Sequence, residues 1–360
     1  MNIAVNGKFL TQKLTGVQRV AWETLLALTE ILKESDVKVT IFTPNQNIES
    51  EEYNLSALNV KIARGKTKGI LWEQTELYYK SKKFDYLLNF CNQAPLLSQN
   101  SITFIHDAQV YLYPESYSKA FVAWYKITLP VIAKNAKHLI TVSEYSKSKL
   151  VEALDVDESK IDVLYNGSQH LKSAYSIENV SVNIKSLSET KYCLMIGSLA
   201  GHKNIKSVIE AFENVGQDLK LVIVGDLDNQ VFNSNGITYS QNLILTGRVN
   251  DDEIKFLMNH CSQFISPSLF EGFGLPVVEA LIMDKPVLCS DIDTYRELFD
   301  GYVKFIKPLD VSSWQKGIVE AANDKSKPDV SKKDIMNRFN WNSNAERILQ
   351  TMVEGNGHAK

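Results

Sequence analysis

Ser266-Pro267-Ser268-Leu269-Phe270-Glu271-Gly272-Phe273-Gly274-Leu275-Pro276-Val277-Val278-Glu279-Ala280 decides how the chain is read. A strand-like apolar run, Phe264 to Ser266, leads into a Gly-containing loop, and an apolar helix follows. Pro276 suits the first helical position, because its missing N–H is one of the donors left orphaned there. The backbone N–H groups of Gly274 and Leu275 then face outward at a helix N-terminus, where they and the helix dipole favour a bound phosphate. Glu271 on the loop and Glu279 on the first turn bracket that anion site. Carboxylates repel phosphate, so these two are expected to accept hydrogen bonds from sugar hydroxyls. A nucleotide-sugar has hydroxyls on both sides of its diphosphate, on the ribose and on the donor sugar. The spacing suits such a ligand.

Outward from this stretch, strands alternate with helices. Tyr192 to Ile196, Leu219 to Val224, Leu243 to Leu245, Pro286 to Cys289 and Val303 to Ile306 are short apolar runs, with helical segments from Asn204, Asp251, Pro276 and Val311 between or after them. The first half repeats the pattern with Ile3 to Asn6, Val37 to Ile41, Tyr86 to Phe90, Ile102 to Ile105 and Leu139 to Val142. Helical spacing covers Val17 to Leu32, and Ser118 to Lys137 reads as a helix. Alternation of this kind predicts α/β architecture, with parallel sheets covered on both faces. Between the halves the pattern stops in a polar stretch. The expected organisation is an N-terminal domain over 1–168, a linker over 169–190, a C-terminal domain over 191–340, and a closing helix and tail over 341–360.

The chain's 360 residues suit two domains of common size. Hydrophobic residues at 44% and charged residues at 22% are the profile of a soluble globular protein. A net charge of −3 excludes nucleic-acid binding by bulk positive charge. Cys91, Cys193, Cys261 and Cys289 lie far apart without metal-ligand spacing, and read as reduced, mostly buried thiols. The N-terminus enters a strand-like run at once, without a basic region or cleavable apolar stretch. No apolar run approaches the ~20 residues a membrane helix needs. The expectation is a cytoplasmic chain, at most peripheral at the cytoplasmic membrane. Lys61 to Gly69 concentrates four basic residues, read either as a solvated loop or as a contact to a phosphate-bearing acceptor or acidic lipid. The helix bearing Tyr117, Phe121, Trp124, Tyr125 and Lys126 is expected to pack into the core rather than serve as a membrane foot.

The loop-helix stretch resembles the E-x7-E signature of retaining family-4 glycosyltransferases of the GT-B fold, with Glu271 and Glu279 as its two acids. The resemblance runs along nearly the whole chain. Thr15-Gly16-Val17-Gln18-Arg19 is similar to the family's first glycine loop, and Ile105-His106-Asp107 to its strand-end His-Asp. Thr141 to Ser146 and Leu164 to Gly167 resemble the end of its N-terminal domain. Ile196-Gly197-Ser198-Leu199-Ala200-Gly201-His202-Lys203-Asn204 resembles the loop that clamps the diphosphate. Val224-Gly225-Asp226, Thr246-Gly247-Arg248-Val249 and Arg296-Glu297-Leu298 follow in the family's order, and Phe339-Asn340-Trp341 resembles the start of the closing helix that returns to the N-terminal domain. Two positions depart from the pattern: His202 stands where the family often has Arg, and Asp284 where it usually has Gly.

The resemblance implies a GT-B chain, two doubly wound Rossmann-like domains facing a central cleft. It also implies a retaining, metal-independent hexosyltransferase with no cofactor. Lys203 and the helix N-terminus would neutralise the leaving diphosphate. Glu271 would hold the transferred sugar and Glu279 the ribose, with His106 contacting the sugar from the other domain. Gly16, Gly197, Arg248, Gly272, Phe273, Gly274 and Leu275 complete the expected donor site. His202 either supplies a second charge to the diphosphate or points to solvent while backbone amides do the holding. The expected donor is GDP-mannose or a UDP- or dTDP-sugar, and the expected acceptor a glycan or lipid-linked oligosaccharide of a bacterial surface polysaccharide (capsule or O-antigen). Two rival readings remain. One is a non-catalytic nucleotide-sugar-binding subunit. The other is a metal-dependent GT-A transferase, for which Asp155/Asp157, Asp226/Asp228 and Asp291/Asp293 supply Asp-x-Asp triplets. A dinucleotide oxidoreductase is weaker, because no G-x-G-x-x-G follows a strand.

Overall fold

Runs such as Ile3-Ala4-Val5 and Leu221-Val222-Ile223-Val224 are buried along their whole length, as strands covered on both faces must be. The computed structural model describes the chain except residues 50–52, 172–174, 199, 214, 217, 226–240, 324–330 and 358–360. The chain divides into two units, Met1–Gly167 with Asn340–Lys360, and Ser168–Phe339.

The first unit holds β1 (Asn2–Asn6), β2 (Lys38–Thr43), β3 (Lys61–Arg64), β4 (Tyr86–Asn89), β5 (Ser101–Phe104), β6 (His138–Thr141) and β7 (Ile161–Val163). They form one sheet in the order β3-β2-β1-β4-β5-β6-β7. Every pairing in it is parallel. Helix α1 (Gly16–Ile31) follows β1, and α2 (Lys119–Asn135) lies between β5 and β6. Ser118 caps α2 by accepting from the Phe121 N–H. Its inner face buries Thr128, Leu129, Ile132 and Ala133. Ile127 and Val131 stay exposed on the other side, so the expected core helix is packed on one face only.

The last helix, α7 (Trp341–Gly357), packs against α1 within this unit. Its ties are polar as well as apolar. The Tyr86 hydroxyl donates to the Met352 carbonyl at 2.5 Å. Asp162 lies 2.9 Å from His138 and 3.4 Å from Arg347, and accepts from the Thr351 hydroxyl at 3.2 Å. The His138 imidazole beside it outweighs burial and holds the Asp162 carboxyl down at about 2, helped by Arg347. A Cβ on Gly167 would fall 2.4 Å from the Trp341 backbone nitrogen, so only glycine lets the helix start approach here.

The second unit holds β8 (Tyr192–Ile196), β9 (Lys220–Val224), β10 (Leu243–Gly247), β11 (Gln263–Ser266), β12 (Val287–Ser290) and β13 (Lys304–Ile306). Their order is β10-β9-β8-β11-β12-β13, again with parallel pairings. This is the doubly wound order, in which the chain works outward from one central strand to one edge and then the other. Helices α3 (Ile205–Phe212), α4 (Asp251–His260), α5 (Leu275–Ile282) and α6 (Asp293–Phe299) connect the strands. Asn250 and Glu253 form a reciprocal capping box on α4.

Three local expectations change. The polar stretch read as a linker docks on the second unit: Asn179 donates to Asp252 at 2.6 Å, and the Ser181 N–H to Glu253 at 3.1 Å. Its short polar turns satisfy their backbone on the acidic start of α4, which a search for apolar periodicity does not see. The basic stretch Lys61 to Gly69 begins as edge strand β3, where lysine discourages pairing with other chains. Its loop already holds an internal anion, because Glu76 accepts from the Lys66 N–H and from the Thr67 N–H and hydroxyl. The Thr67 side-chain bond and the Lys66 N–H outweigh the opposing burial and bring the Glu76 carboxyl to about 2. Finally, Asp284 takes a left-handed φ of 56°, the conformation a glycine would supply at that position most easily.

Candidate active site

In a doubly wound sheet, ligands bind beyond the carboxyl ends of the strands where the winding reverses direction. In the second unit that point lies between β8 and β11. The loop after β8 carries Gly197 to Asn204, and the loop after β11 carries Pro267 to Gly274. The two stretches singled out in the sequence therefore flank one crevice.

Lys203 and Glu271 meet across it, 2.6 Å from Nζ to Oε1. The Ser268 hydroxyl donates to the same carboxylate oxygen at 2.6 Å. Burial pushes the Glu271 carboxyl up, but the Lys203 charge and hydrogen bond, Ser268 and the nearby His202 together hold it below the usual value. Glu271 is thus an ionised acceptor with one oxygen anchored. The loops are sewn together by their backbones as well, because the Leu269 N–H donates to the His202 carbonyl at 2.7 Å.

Asn204, at a left-handed φ of 50°, ends the Lys203 turn and starts α3. Its amide donates to the Pro267 carbonyl at 3.0 Å and the Pro308 carbonyl at 2.7 Å, and its oxygen accepts from Ser207 at 2.8 Å. The asparagine next to the clamp lysine thus fixes three loops. Beneath Glu271, Thr294 on α6 donates to the Glu271 carbonyl at 2.8 Å. Tyr295, fully buried, shares a 2.6 Å hydrogen bond with Ser266.

Gly274 caps α5 at a φ of 104°. A Cβ there would fall 2.7 Å from the Tyr295 ring, so both the dihedral and the packing require glycine. Leu275 opens α5 and Pro276 is its second residue, one position later than the sequence suggested. Among the described residues, no side chain caps this N-terminus. Glu279 is the fifth residue of α5, beyond the first turn in which it was expected. Helical side chains lean toward the N-terminus, which still lays it over the start of the helix. Its Oε1 lies 3.1 Å from His170 Nε2. The Phe273 ring is buried edge-on against Phe299 and Phe339, so Phe273 faces the crevice with its backbone only.

Glycines end three adjacent strands. The Gly197 N–H donates to Val224 O at 2.9 Å, and the Gly225 N–H to Gly247 O at 3.0 Å. Gly225 has a φ of 150°, and a Cβ there would lie 1.8 Å from the Gly197 oxygen. Arg248 follows β10 at an exposed position. His202 is buried, at 8% exposure, so its solvent-directed reading is corrected. Asp226 and Asp228, like Leu199, lie outside the described residues. The other two Asp-x-Asp triplets have structural uses. Asp155 ends a helix at a left-handed φ, Asp157 caps the next turn, and Asp291 is held by Arg296 at 2.6 Å.

The two remaining site expectations fall in the first unit. Gly16 is the first residue of α1, and the preceding Thr15 hydrogen-bonds to Gln18. His106 follows β5 with its ring buried, and Nε2 donates to the Phe90 carbonyl at 2.7 Å. Burial, partly offset by that bond, lowers its pKa to about 4. The imidazole is therefore neutral near pH 7. Neighbouring Asp107 accepts from the Gln109 N–H at 2.8 Å, at the start of the short helix that follows.

Sequence reasoning missed Ser268, Thr294, Tyr295, Asn204 and His170. Ser268 and Asn204 sit inside the recognised motifs. The other three support the site from distant sequence, and no local spacing marks them.

Two parallel-sheet Rossmann-like domains, with this crevice at the winding reversal of the second, define the GT-B class of glycosyltransferases. Residues 15–168 match the family model described as Glycosyltransferase Family 4, and residues 176–338 the one described as Glycosyl transferases group 1. The chain belongs to the glycosyltransferase family that joins these two domains. It is 29% identical over 228 residues to the O-antigen chain mannosyltransferase RfbU of Salmonella typhimurium, covering 62% of this chain and 61% of the relative. It is 24% identical over 259 residues to O-antigen chain mannosyltransferase B of Escherichia coli, covering 67% of this chain and 66% of the relative. The chain thus spans about six-tenths to two-thirds of the length of these curated relatives. In fold, it is similar to the crystal structure of Anabaena Alr3699/HepE in complex with UDP and glucose. The TM-score is 0.74 at 16% identity, with 98% of this chain and 100% of that chain covered.

Proposed function

We propose that the chain is a retaining, metal-independent hexosyltransferase that moves a sugar from a nucleoside diphosphate to a glycan or lipid-linked oligosaccharide. The observation that carries this reading is the Lys203–Glu271 pair at the winding reversal of the second unit. A lysine has three N–H donors and Glu271 takes one, which leaves Lys203 able to meet the diphosphate. Glu271, ionised and anchored at one oxygen, accepts from the hydroxyls of the transferred sugar, and Glu279 accepts from the ribose. Lys203 and the α5 N-terminus stabilise the charge that grows on the leaving diphosphate. The acceptor oxygen bonds to the anomeric carbon on the face from which the diphosphate leaves. Its proton passes to the departing phosphate oxygen, so the configuration is retained.

The two O-antigen mannosyltransferase relatives favour mannose, hence GDP-mannose, over a UDP- or dTDP-sugar. They also favour a surface-polysaccharide acceptor, made in the cytoplasm with the chain resting peripherally on the inner membrane face. A thermal-shift panel of GDP, UDP and dTDP tests the base, since only the bound nucleotide stabilises the native state. Transfer is expected to survive EDTA. Glu271→Ala should fold and lose about 2–4 kcal/mol of transition-state stabilisation, roughly 30- to 10³-fold in kcat/KM. A folded Glu271→Ala variant with wild-type kcat/KM would sink the reading. Tight nucleotide binding without transfer or donor hydrolysis would make the chain the non-catalytic subunit instead.

A further inference from the structure

His170 lies 109 positions before Glu279 in the sequence, yet its Nε2 sits 3.1 Å from Glu279 Oε1. The pair is mostly buried, with the side chains 7% and 15% exposed. An ionised carboxylate can only accept, so the proton of this bond sits on His170 Nε2. The histidine is held from its own side too. Two residues earlier, the Ser168 N–H and hydroxyl both donate to the Phe339 carbonyl, at 3.1 and 3.0 Å. The Phe339 ring in turn packs edge-on against Phe273, in the loop that leads to α5. The segment bearing His170 and the helix bearing Glu279 therefore share one aromatic anchor. Among the described residues, the other Glu279 oxygen takes no hydrogen bond.

We infer that His170 is a positioning residue that fixes one oxygen of Glu279 so that the other is presented to the hydroxyls of the nucleotide ribose. This rests on the proposed donor-binding role of Glu279. Glutamate has three rotatable side-chain bonds, and freezing them on ligand arrival opposes binding. A partner that freezes them beforehand removes that penalty. Because the ribose does not react, the contact strengthens ground state and transition state equally, and its loss falls on donor KM rather than on kcat.

The test uses the full chain and compares wild type, His170→Ala, His170→Gln, Glu279→Ala and the double variant. The readouts are affinity for GDP, UDP and dTDP, affinity for inorganic pyrophosphate, and donor kinetics. His170→Ala should weaken the bound nucleoside diphosphate by roughly three- to tenfold, the usual range for one hydrogen bond of ordinary net strength. Donor KM should rise in step while kcat holds. Pyrophosphate, which has no ribose, should bind as to wild type. His170→Gln keeps an N–H donor and should recover most of the loss. The double variant should bind no worse than Glu279→Ala. If His170→Ala melts, His170→Phe keeps the ring volume without the donor. Equal weakening of pyrophosphate would mean that His170 merely supports the fold, and would overturn the inference. Wild-type nucleotide affinity in folded His170→Ala beside a weakened Glu279→Ala would overturn it while leaving the role of Glu279 intact. Unchanged affinity in Glu279→Ala would overturn both.

Discussion

Among the described residues, a Cβ added at Gly197 would touch only Ile205, at an ordinary 3.8 Å, whereas one added at Gly225 would fall 1.8 Å from the Gly197 oxygen. The two glycines end neighbouring strands, yet the protein needs them for different reasons. Gly225 is required by its φ of 150° and by the backbone beside it. Nothing among the described residues crowds a side chain at Gly197, so its bareness serves whatever approaches the β8 end. Gly197→Ala should therefore keep wild-type stability, within about 0.5 kcal/mol, and lose nucleotide affinity tenfold or more. Gly225→Ala should lower stability first. Urea titration and a GDP, UDP and dTDP binding panel on both variants check this, and wild-type nucleotide affinity in Gly197→Ala would refute it. The comparison also shows what sequence can reveal at this scale. Glu271, Lys203 and the glycine loops are legible because each sits in a local pattern whose chemistry is phosphate binding. His170, Thr294 and Tyr295 are not, because their roles arise only when residues far apart in sequence meet.

The same division holds for elements. Fully buried strands such as β1 and β8 show in the sequence as unbroken apolar runs, and their extents match the reading closely. The sheet-edge strands β3 and β7 do not, since Lys-Ile-Ala-Arg and Ile-Asp-Val are half-covered and too short to show a period. Helix α2 is the instructive case, because an apolar pattern cannot say which of two apolar faces is covered. Its outer face exposes Ile127 at 67% and Val131 at 37%, flanked by exposed Lys119, Lys126 and Lys134. An apolar stripe edged with lysine suits the headgroup region of an anionic bilayer, with about 1 kcal/mol per lysine near the surface. The double variant Ile127→Glu/Val131→Glu should fold normally and co-sediment far less with phosphatidylglycerol vesicles. Wild type should bind those vesicles better than phosphatidylcholine ones, and less well as salt rises. Equal sedimentation of wild type and variant would remove the peripheral contact from the proposal.

At the scale of the whole molecule, the two units carry buried titratable groups whose stability terms fade at different pH. In the first unit, His106 falls from 6.5 in the unfolded chain to about 4 in the fold, through burial. Between those values the unfolded chain binds a proton that the native unit refuses, so stability drops as pH falls through the window. Acidifying from neutrality to pH 5 should thus remove about 2 kcal/mol from the first unit. The Asp162 tie to the closing helix does not contribute there, because its loss runs from 3.8 down to about 2. In the second unit, Glu271 is lowered from 4.5, so its contribution is complete above that value and fades only as pH falls toward the folded one. Mild acid should therefore weaken the first unit through His106 and leave the Lys203–Glu271 pair intact. Tryptophan fluorescence distinguishes the units, since Trp22, Trp72, Trp124 and Trp341 lie in the first and only Trp314 in the second. Urea titrations followed by this signal should show a lower midpoint at pH 5 than at pH 7.5. In His106→Gln, whose longer amide can still donate to the Phe90 carbonyl from the Nε2 position but takes up no proton, the difference should shrink by the His106 share. Equal pH shifts in wild type and variant would show that some other group governs acid sensitivity.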